Sequence, residues 1–464
     1  MKFTVLHLKL DEKKVESEEF EKEGVYGIID YGLELHERLG THSIEPYDPK
    51  NVVVMGMGGP FSGSILPGAH RLMFFFRSPL YGTLFPSAMG GAAYAFKNVG
   101  VDFVTFEGKA EKPVVVILYN DGSNINVELH EIELEKLIEI WKDYKGEEGV
   151  YALTQYLIDT FGERFDFEYR IAVVGPAALN SNYGAIFSQT LRKGKRVEGS
   201  EDWAARGGSG SVLLRAHNVV GGVIFGGKPR KRAFPGEDIS SFRTAKEIVE
   251  GVHKKPYNDV IAEKTVKYKY NPPKLKTGGT FGGNYPAEGD FVPILNWQMP
   301  YIPKEERIKI HEAIMKYYWE PFNKEAIETK NWTNCGEPCP VVCKKYANGH
   351  HIEYEPREAN GPLSGVITLR ASDISVPAVD AMGFDAIEFG GTAAWVLELV
   401  HRGILKPEEV GLSDVPDFTK EALLERPVEA SEKNAKLVAE LAHRVAFAEN
   451  EIAKILGSGR EKQA

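Results

Sequence analysis

The chain opens Lys2-Phe-Thr-Val-Leu-His-Leu-Lys-Leu10, in which apolar and polar residues alternate. A period of two is the signature of a strand with one face in a core. Working outward, Asn51–Met55, Val101–Phe106, Val114–Leu118 and Arg170–Val174 are short β-branched runs bounded by Gly, Pro, Asn or Asp, and they read as strands. One helical stripe interrupts them: Glu131–Tyr144 carries Ile132, Leu134, Leu137, Ile138 and Trp141 at near-helical spacing. In the second half the period changes. Ile308–Tyr318, Ala378–Met382, Gly391–Arg402 and a last long helix, Lys433–Leu456, repeat at helical spacing. The apolar stripe of that last helix (Leu437, Val438, Leu441, Val445, Ile452, Leu456) requires a partner surface. The change falls near Gly226-Gly-Lys-Pro-Arg-Lys-Arg-Ala-Phe-Pro-Gly-Glu237, a basic, Gly/Pro-rich surface connection. The expected class is α+β, with a β-rich domain over residues 1–230 and a mainly helical one over 231–464. Asn271–Pro303 interrupts the helical half with many Gly, Pro and Asn residues, and loops of that length are often functional.

Composition narrows the function. Lys and Arg number 56 against 66 Asp and Glu, a net charge of −10. A nucleic-acid protein shows the opposite balance. A small anionic substrate therefore needs a local basic pocket. The basic run Arg192, Lys193, Lys195, Arg196 reads as a solvated face. Three cysteines in 464 residues form no disulfide framework, which points to a reducing, cytoplasmic compartment. The start of the chain lacks the apolar core of a secretory signal. Apolar stretches such as Leu72–Phe76 fall far short of the ~20 residues that cross a bilayer, so no membrane is expected.

All three cysteines lie in Cys335-Gly-Glu-Pro-Cys339-Pro-Val-Val-Cys343. Thiolates are soft ligands for zinc or iron–sulfur clusters. Pro338 and Pro340 disfavour a regular helix, so the segment is expected to wrap as a loop around one centre. Both kinds of centre ordinarily take four ligands, and no fourth cysteine exists. His350 or His351 offers a zinc alternative, at a spacing that fits no standard site. Gly56-Met-Gly58-Gly59-Pro60 follows a strand, but Phe61 stands where a dinucleotide fingerprint needs glycine, which leaves a glycine-rich turn. Arg206-Gly207-Gly208-Ser-Gly-Ser211 has the composition of an anion nest beside a guanidinium. Arg71 precedes the apolar run Leu72–Phe76, and is either a buried ion partner or a snorkelling surface residue. Glu353-Tyr-Glu355 supplies paired carboxylates for acid–base work. In Asp380-Ala-Met-Gly383-Phe-Asp385 the plain reading is a helix ending at Gly383 with Asp385 starting the next element.

Together these segments resemble the tungsten-containing aldehyde:ferredoxin oxidoreductase family over nearly the whole chain. Arg77-Ser-Pro-Leu80, Met89-Gly-Gly91 and Phe106-Glu-Gly-Lys-Ala-Glu-Lys-Pro113 are similar to its first domain, and Ala204-Ala-Arg206-Gly-Gly208 to its second pterin-contacting loop. Asp380-x-x-Gly-Phe-Asp385 resembles the first of its two pterin Asp motifs. Phe74–Gly82, Gly278–Pro286 and Trp297–Tyr301 resemble the branch that oxidises glyceraldehyde 3-phosphate in hyperthermophilic archaea.

The resemblance implies a first domain of two twisted sheets that binds tungstopterin, a bis-molybdopterin tungsten group. It implies a [4Fe-4S] cluster held by Cys335, Cys339 and Cys343, and a magnesium ion bridging the pterin phosphates. Arg71 would lie between pterin and cluster. Ala88, Ala205, Arg206, Gly207 and Gly208 would contact the phosphates, and Asp380 and Asp385 the pterin ring nitrogens. Glu355 matches the family carboxylate beside tungsten and is the candidate proton acceptor. The implied reaction is oxidation of glyceraldehyde 3-phosphate to 3-phosphoglycerate in a modified glycolysis, with ferredoxin as electron acceptor. The alternatives are a general aldehyde or formaldehyde oxidoreductase, an inactive truncated fragment and a zinc-binding scaffold. Two departures stand out. The first two cysteines are separated by three intervening residues where much of the family has two. The family's second pterin motif, with the fourth cluster cysteine, belongs to a third helical domain that is expected to be absent or truncated here, or carried by a separate C-terminal polypeptide.

Overall fold

The structure is a computed structural model that describes residues 2–57, 71–228, 242–257, 259–260, 285–329, 332–333, 335–336 and 344–459. The chain divides into two compact units: Met1–Val260 with Asn334–Pro340, and Ile261–Thr333 with Val341–Ala464. Cys335 therefore goes with the first unit although it follows much of the second in sequence.

The first unit holds two six-stranded mixed sheets. One is built from β1 (Lys2–Lys9), β2 (Lys14–Glu21), β3 (Val53–Met57), β4 (Leu72–Arg77), β5 (Leu84–Met89) and β6 (Phe103–Glu107), in the order β2-β1-β6-β3-β4-β5. Helix α1 (Ile28–Leu39) covers it. Tyr31 of α1 stacks on Phe103 at 4.8 Å, and Gly32 lies so close to Phe75 that a Cβ would sit 2.3 Å from the ring. The expected strands are all present. Leu72–Phe76 is apolar because it is β4, buried between β3 and β5. The charged segment Lys14–Glu21, which carries no apolar alternation, becomes the edge strand β2. Charge on an edge discourages pairing with other chains.

The second sheet contains β7 (Val114–Asn120), β8 (Ile125–Glu131), β9 (Tyr169–Val174), β10 (Ile186–Gln189), β13 (Asp202–Ala204) and β14 (Gly221–Gly227), in the order β13-β10-β9-β14-β7-β8. The hairpin of β11 (Leu191–Arg192) and β12 (Lys195–Arg196) turns at Lys193, whose φ is 50°. The basic run is thus the tip of a hairpin. Helix α3 covers only Leu134–Lys142, because Ile125–Glu131 pairs along β7 instead. Helices α2 (Ala92–Phe96) and α6 (Ser209–His217) each touch strands of both sheets.

In the second unit α8 (Lys304–Ile314), α9 (Tyr354–Ala359), α10 (Leu369–Met382), α11 (Ala386–His401), α12 (Pro427–Ala446) and α13 (Glu451–Leu456) dominate. Beside them lies a small sheet of β15 (Trp332–Thr333), β16 (Lys344–Ala347) and β17 (His350–Ile352). The expected single helix Lys433–Leu456 is two. Ala448 turns left-handed at φ 50°, and the Asn450 side chain accepts from Ala453 N at 2.7 Å to start α13. The apolar stripe of α12 finds its partner within the unit, packed along α10. The described end of the Asn271–Pro303 loop, from Tyr285 on, consists of short turns. The connection at Gly226–Glu237 lies largely outside the described residues.

His7 ties β1 to both neighbours. Its Nδ1 meets Glu107 of β6 at 2.7 Å and its Nε2 meets Glu18 of β2 at 2.9 Å. Burial alone lowers its pKa, but hydrogen bonds and charge from Glu107 and Glu18 outweigh this and hold it above 6.5. Stability from a raised histidine is full below the unfolded value and is lost as pH rises through the folded one. His7→Gln is expected to cost about 1–3 kcal/mol at pH 6, and distinctly less at pH 9. Denaturant unfolding at the two pH values measures the difference.

Candidate functional site

The residues singled out by sequence divide between the two units. In the first unit, two strands run into glycines that start a helix. Strand β5 leads through Gly90 and Gly91 (φ 71°) into α2, and β13 leads through Arg206–Gly208 into α6. Ala205 is right-handed at φ −83°, whereas Gly207 and Gly208 are left-handed at φ 79° and 78°. Adjacent right- and left-handed residues turn successive amides to one side, the geometry of an anion nest. Both glycines are required. A Cβ on Gly207 would sit 2.6 Å from the Phe85 ring, and one on Gly208 would sit 2.1 Å from Asn182 O. Ser78 Oγ donates to Gly207 O at 2.7 Å and fixes the turn. The first turn of α6 is already served by Gly184 O, which accepts from Gly210 at 2.9 Å and Ser211 at 3.4 Å.

Ala88 lies on β5, the strand packed against this turn. Arg71 immediately precedes β4, at the end where Leu72 pairs with Met89, and is solvent-exposed. The Arg206 guanidinium donates to the Tyr81 hydroxyl at 3.0 Å. Cys335 is buried against the other glycine turn: a Cβ on Gly90 would sit 2.9 Å from its sulfur, and one on Gly91 only 1.8 Å from its carbonyl oxygen. Cys339, Cys343, Pro338 and Pro340 lie outside the described residues. Sequence reading missed Arg170, whose guanidinium reaches Cys335 O at 2.7 Å; its only signal is a charge inside an otherwise apolar strand.

In the second unit, Asp380 lies in the last turn of α10, Gly383 caps it at φ 77°, and Asp385 starts α11. Both aspartates are buried, Asp385 completely. Asp385 Oδ1 accepts from Ile387 N at 3.2 Å and Glu388 N at 3.3 Å. The plain reading of this motif is thus correct as local structure, and it leaves both carboxylates buried. Glu355, exposed on the first turn of α9, belongs to the same helical group, since α9 packs on α11 and α10. The approach is close: a Cβ on Gly390 would sit 2.6 Å from the Ala359 backbone. The fully buried Arg357 pins α9 by donating to Ser372 Oγ at 2.6 Å and Asp373 Oδ1 at 2.8 Å. His351 is buried, with Nε2 3.6 Å from Glu353. Among the described residues no cluster of His, Cys, Asp and Glu is arranged to hold a metal ion.

Glu358, one turn beyond Tyr354, was also missed. Both its oxygens are buried, and no hydrogen bond of ordinary geometry reaches either among the described residues. Burial, followed by the charge of Glu288, pushes its carboxyl well above the usual range, and the nearby Tyr285 hydroxyl offsets part of this. Burial raises Glu288 as well, opposed by a hydrogen bond from the Tyr354 hydroxyl. Glu358 thus keeps a proton in the fold that it loses on unfolding. Stability falls as pH rises from the unfolded carboxylate value towards the folded one, by up to about 1.4 kcal/mol per pH unit for one group. Glu358→Gln, which copies the neutral acid, is expected to flatten that slope and to be at least as stable as the parent at pH 8. In the first unit, Gly208→Ala is expected to cost at least about 1–2 kcal/mol from its φ alone, with the Asn182 clash added. Thermal unfolding checks both.

Comparison with known proteins gives the family. The model of the aldehyde ferredoxin oxidoreductase N-terminal domain matches residues 5–226, and that of domains 2 and 3 of the same family matches 258–464. The glyceraldehyde-3-phosphate:ferredoxin oxidoreductase of Pyrococcus furiosus is 74% identical over 91% of this chain and 65% of its own length. An uncharacterised protein of Methanocaldococcus jannaschii is 44% identical over 94% of this chain and 66% of its own. The tungsten-containing aldehyde ferredoxin oxidoreductase of Pyrococcus horikoshii is 26% identical over 89% and 61%. The chain thus spans just under two thirds of the length of these relatives. Among solved structures, the active-site complex BamBC of benzoyl coenzyme A reductase shares the fold, with a TM-score of 0.69 at 18% identity over 100% of this chain and 63% of that one. With a β-rich half and a helical half each matched in turn, the chain belongs to the aldehyde ferredoxin oxidoreductase family.

Proposed function

We propose that this chain carries the pterin-holding portion of a cytoplasmic oxidoreductase that converts glyceraldehyde 3-phosphate to 3-phosphoglycerate and passes electrons to ferredoxin. The observation that carries the reading is the 74% identity to the Pyrococcus furiosus enzyme of that name. The residues present suit the cofactors of such an enzyme. The Ala205–Gly208 turn, with its right- then left-handed backbone, suits the pterin phosphates and their magnesium, with Ala88 on the adjacent strand. Asp380 and Asp385 are carboxylates held out of water, suited to ring nitrogens that donate hydrogen bonds. Arg71 sits at the same end of the β4–β5 pair as Ala88, where a cation would favour an anionic cofactor.

The buried Cys335, with Cys339 and Cys343, would hold a [4Fe-4S] cluster, its fourth ligand supplied by polypeptide beyond these 464 residues, in one chain or two. When bound, the tungsten and the cluster supply the two-electron oxidation of an aldehyde and the one-electron steps to ferredoxin.

The chain's own part is orientation and proton handling. Oxidising an aldehyde with water to a carboxylic acid releases two protons and two electrons. Glu355, on a helix start pinned by the Arg357–Asp373 pair, is the proposed acceptor of a proton at its carboxylate. The test uses the complete protein, prepared anaerobically with tungstate. It is expected to contain iron and tungsten and to reduce ferredoxin with glyceraldehyde 3-phosphate far faster than with acetaldehyde or formaldehyde. Glu355→Gln is expected to lower kcat by about 10²–10⁴-fold while leaving iron content unchanged. An iron-free preparation, or a preference for the unphosphorylated aldehydes, would sink the proposal.

A further inference from the structure

Strand β9 is buried along its whole length, and every residue of Tyr169–Val174 but one is apolar or aromatic. The exception, Arg170, is 3% exposed and pairs with Phe225 of β14, in a strand whose other neighbour is β10. A guanidinium placed inside a sheet must give up its hydration, and it is retained where its fixed fork of donors has a task. Here Nε donates to Ser188 Oγ at 2.9 Å, and Nη1 donates to Thr190 Oγ1 at 3.3 Å and to Cys335 O at 2.7 Å. A Cβ on Gly336 would lie 2.7 Å from the same Nη1, so only glycine lets the loop come this close. On its other side the Cys335 peptide presses on Gly90 and Gly91. The residue is clamped between a glycine turn and an arginine, and Ser188 and Thr190 fix the arginine in turn.

We infer that Arg170 is the positioning residue of the first cluster cysteine: it fixes the Cys335 backbone, and with it the sulfur, and sets a permanent positive charge beside that ligand. The inference rests on the proposed cluster. Two separable effects follow. Losing the hydrogen bond to Cys335 O frees the ligand and weakens iron retention. Losing the charge destabilises the reduced, more negative cluster and lowers its reduction potential.

The experiment compares the complete wild-type protein with Arg170→Gln and Arg170→Lys after anaerobic reconstitution with iron and sulfide. Iron per chain, the electron paramagnetic resonance signal of the reduced cluster and its midpoint potential are read. Arg170→Gln is expected to lose a substantial fraction of its iron and to shift the remaining signal to a more negative potential. Arg170→Lys, which keeps the charge and lacks the fork, is expected to lose iron with a smaller shift. If Arg170→Gln does not fold, Thr190→Val, which removes one anchor of the guanidinium, is expected to show partial iron loss and an altered signal. Unchanged iron and an unchanged potential in the variants overturn the role of Arg170 and leave the cluster standing. A wild-type protein that takes up no iron overturns both.

Discussion

The first unit is organised by how closely backbone approaches backbone at two glycine turns. Gly91 leaves no room for a Cβ because the Cys335 carbonyl is there, and Gly208 leaves none because the Asn182 carbonyl is there. Each turn converts a strand into a helix that touches strands of both sheets, so the position of α2 and α6 follows from a left-handed φ that only glycine adopts cheaply. The same geometry gives Ala205–Gly208 its right- then left-handed backbone. Packing and the proposed anion binding would be two results of one backbone conformation, so no substitution at Gly208 can test one without disturbing the other.

The second unit shows a similar economy. Asp385 is at once the N-cap of α11 and a candidate pterin contact. One oxygen accepts from two amides of the helix start, which holds the carboxylate in place within a buried corner. The neighbouring α9 is positioned from the opposite side by Arg357, whose donors go to Ser372 and Asp373 of α10. Glu355 extends from this anchored helix. A proton acceptor on a short helix of six residues gains little orientation from the helix itself, and most of it from that buried ion pair.

Much of this was legible because period and punctuation are local properties. The strands at Lys2–Lys9, Val53–Met57 and Phe103–Glu107 follow from alternation and flanking turn residues, and the Gly383–Asp385 hinge from capping rules. What escaped was set by distant partners. Lys14–Glu21 is a strand because β1 offers it an edge, with His7 meeting Glu18, and no pattern within the segment says so. The break near Ala448 was hidden because the apolar stripe continues across it. The second helix starts at Asn450, whose side chain caps it. The nest at Gly207 and Gly208 was visible as composition, whereas its depth depends on Phe85 and Asn182, far away in sequence.

Arg170 and Glu358 were invisible for a common reason. Each is a charged or ionisable residue buried at a site defined by other segments: Arg170 by Ser188, Thr190 and Cys335, Glu358 by Tyr285, Glu288 and Tyr354. A sequence shows that such residues interrupt an apolar pattern, but not whether they face water. Burial changes their meaning in opposite directions. Arginine keeps its charge at any accessible pH and must be surrounded by oxygen acceptors, so it becomes a fixed point around which a loop is held. A glutamate in the same circumstances gives up its charge and becomes a neutral acid, able to store a proton. One unit therefore holds a permanent cation against Cys335, and the other holds a buried carboxyl of raised pKa three residues from the proposed proton acceptor.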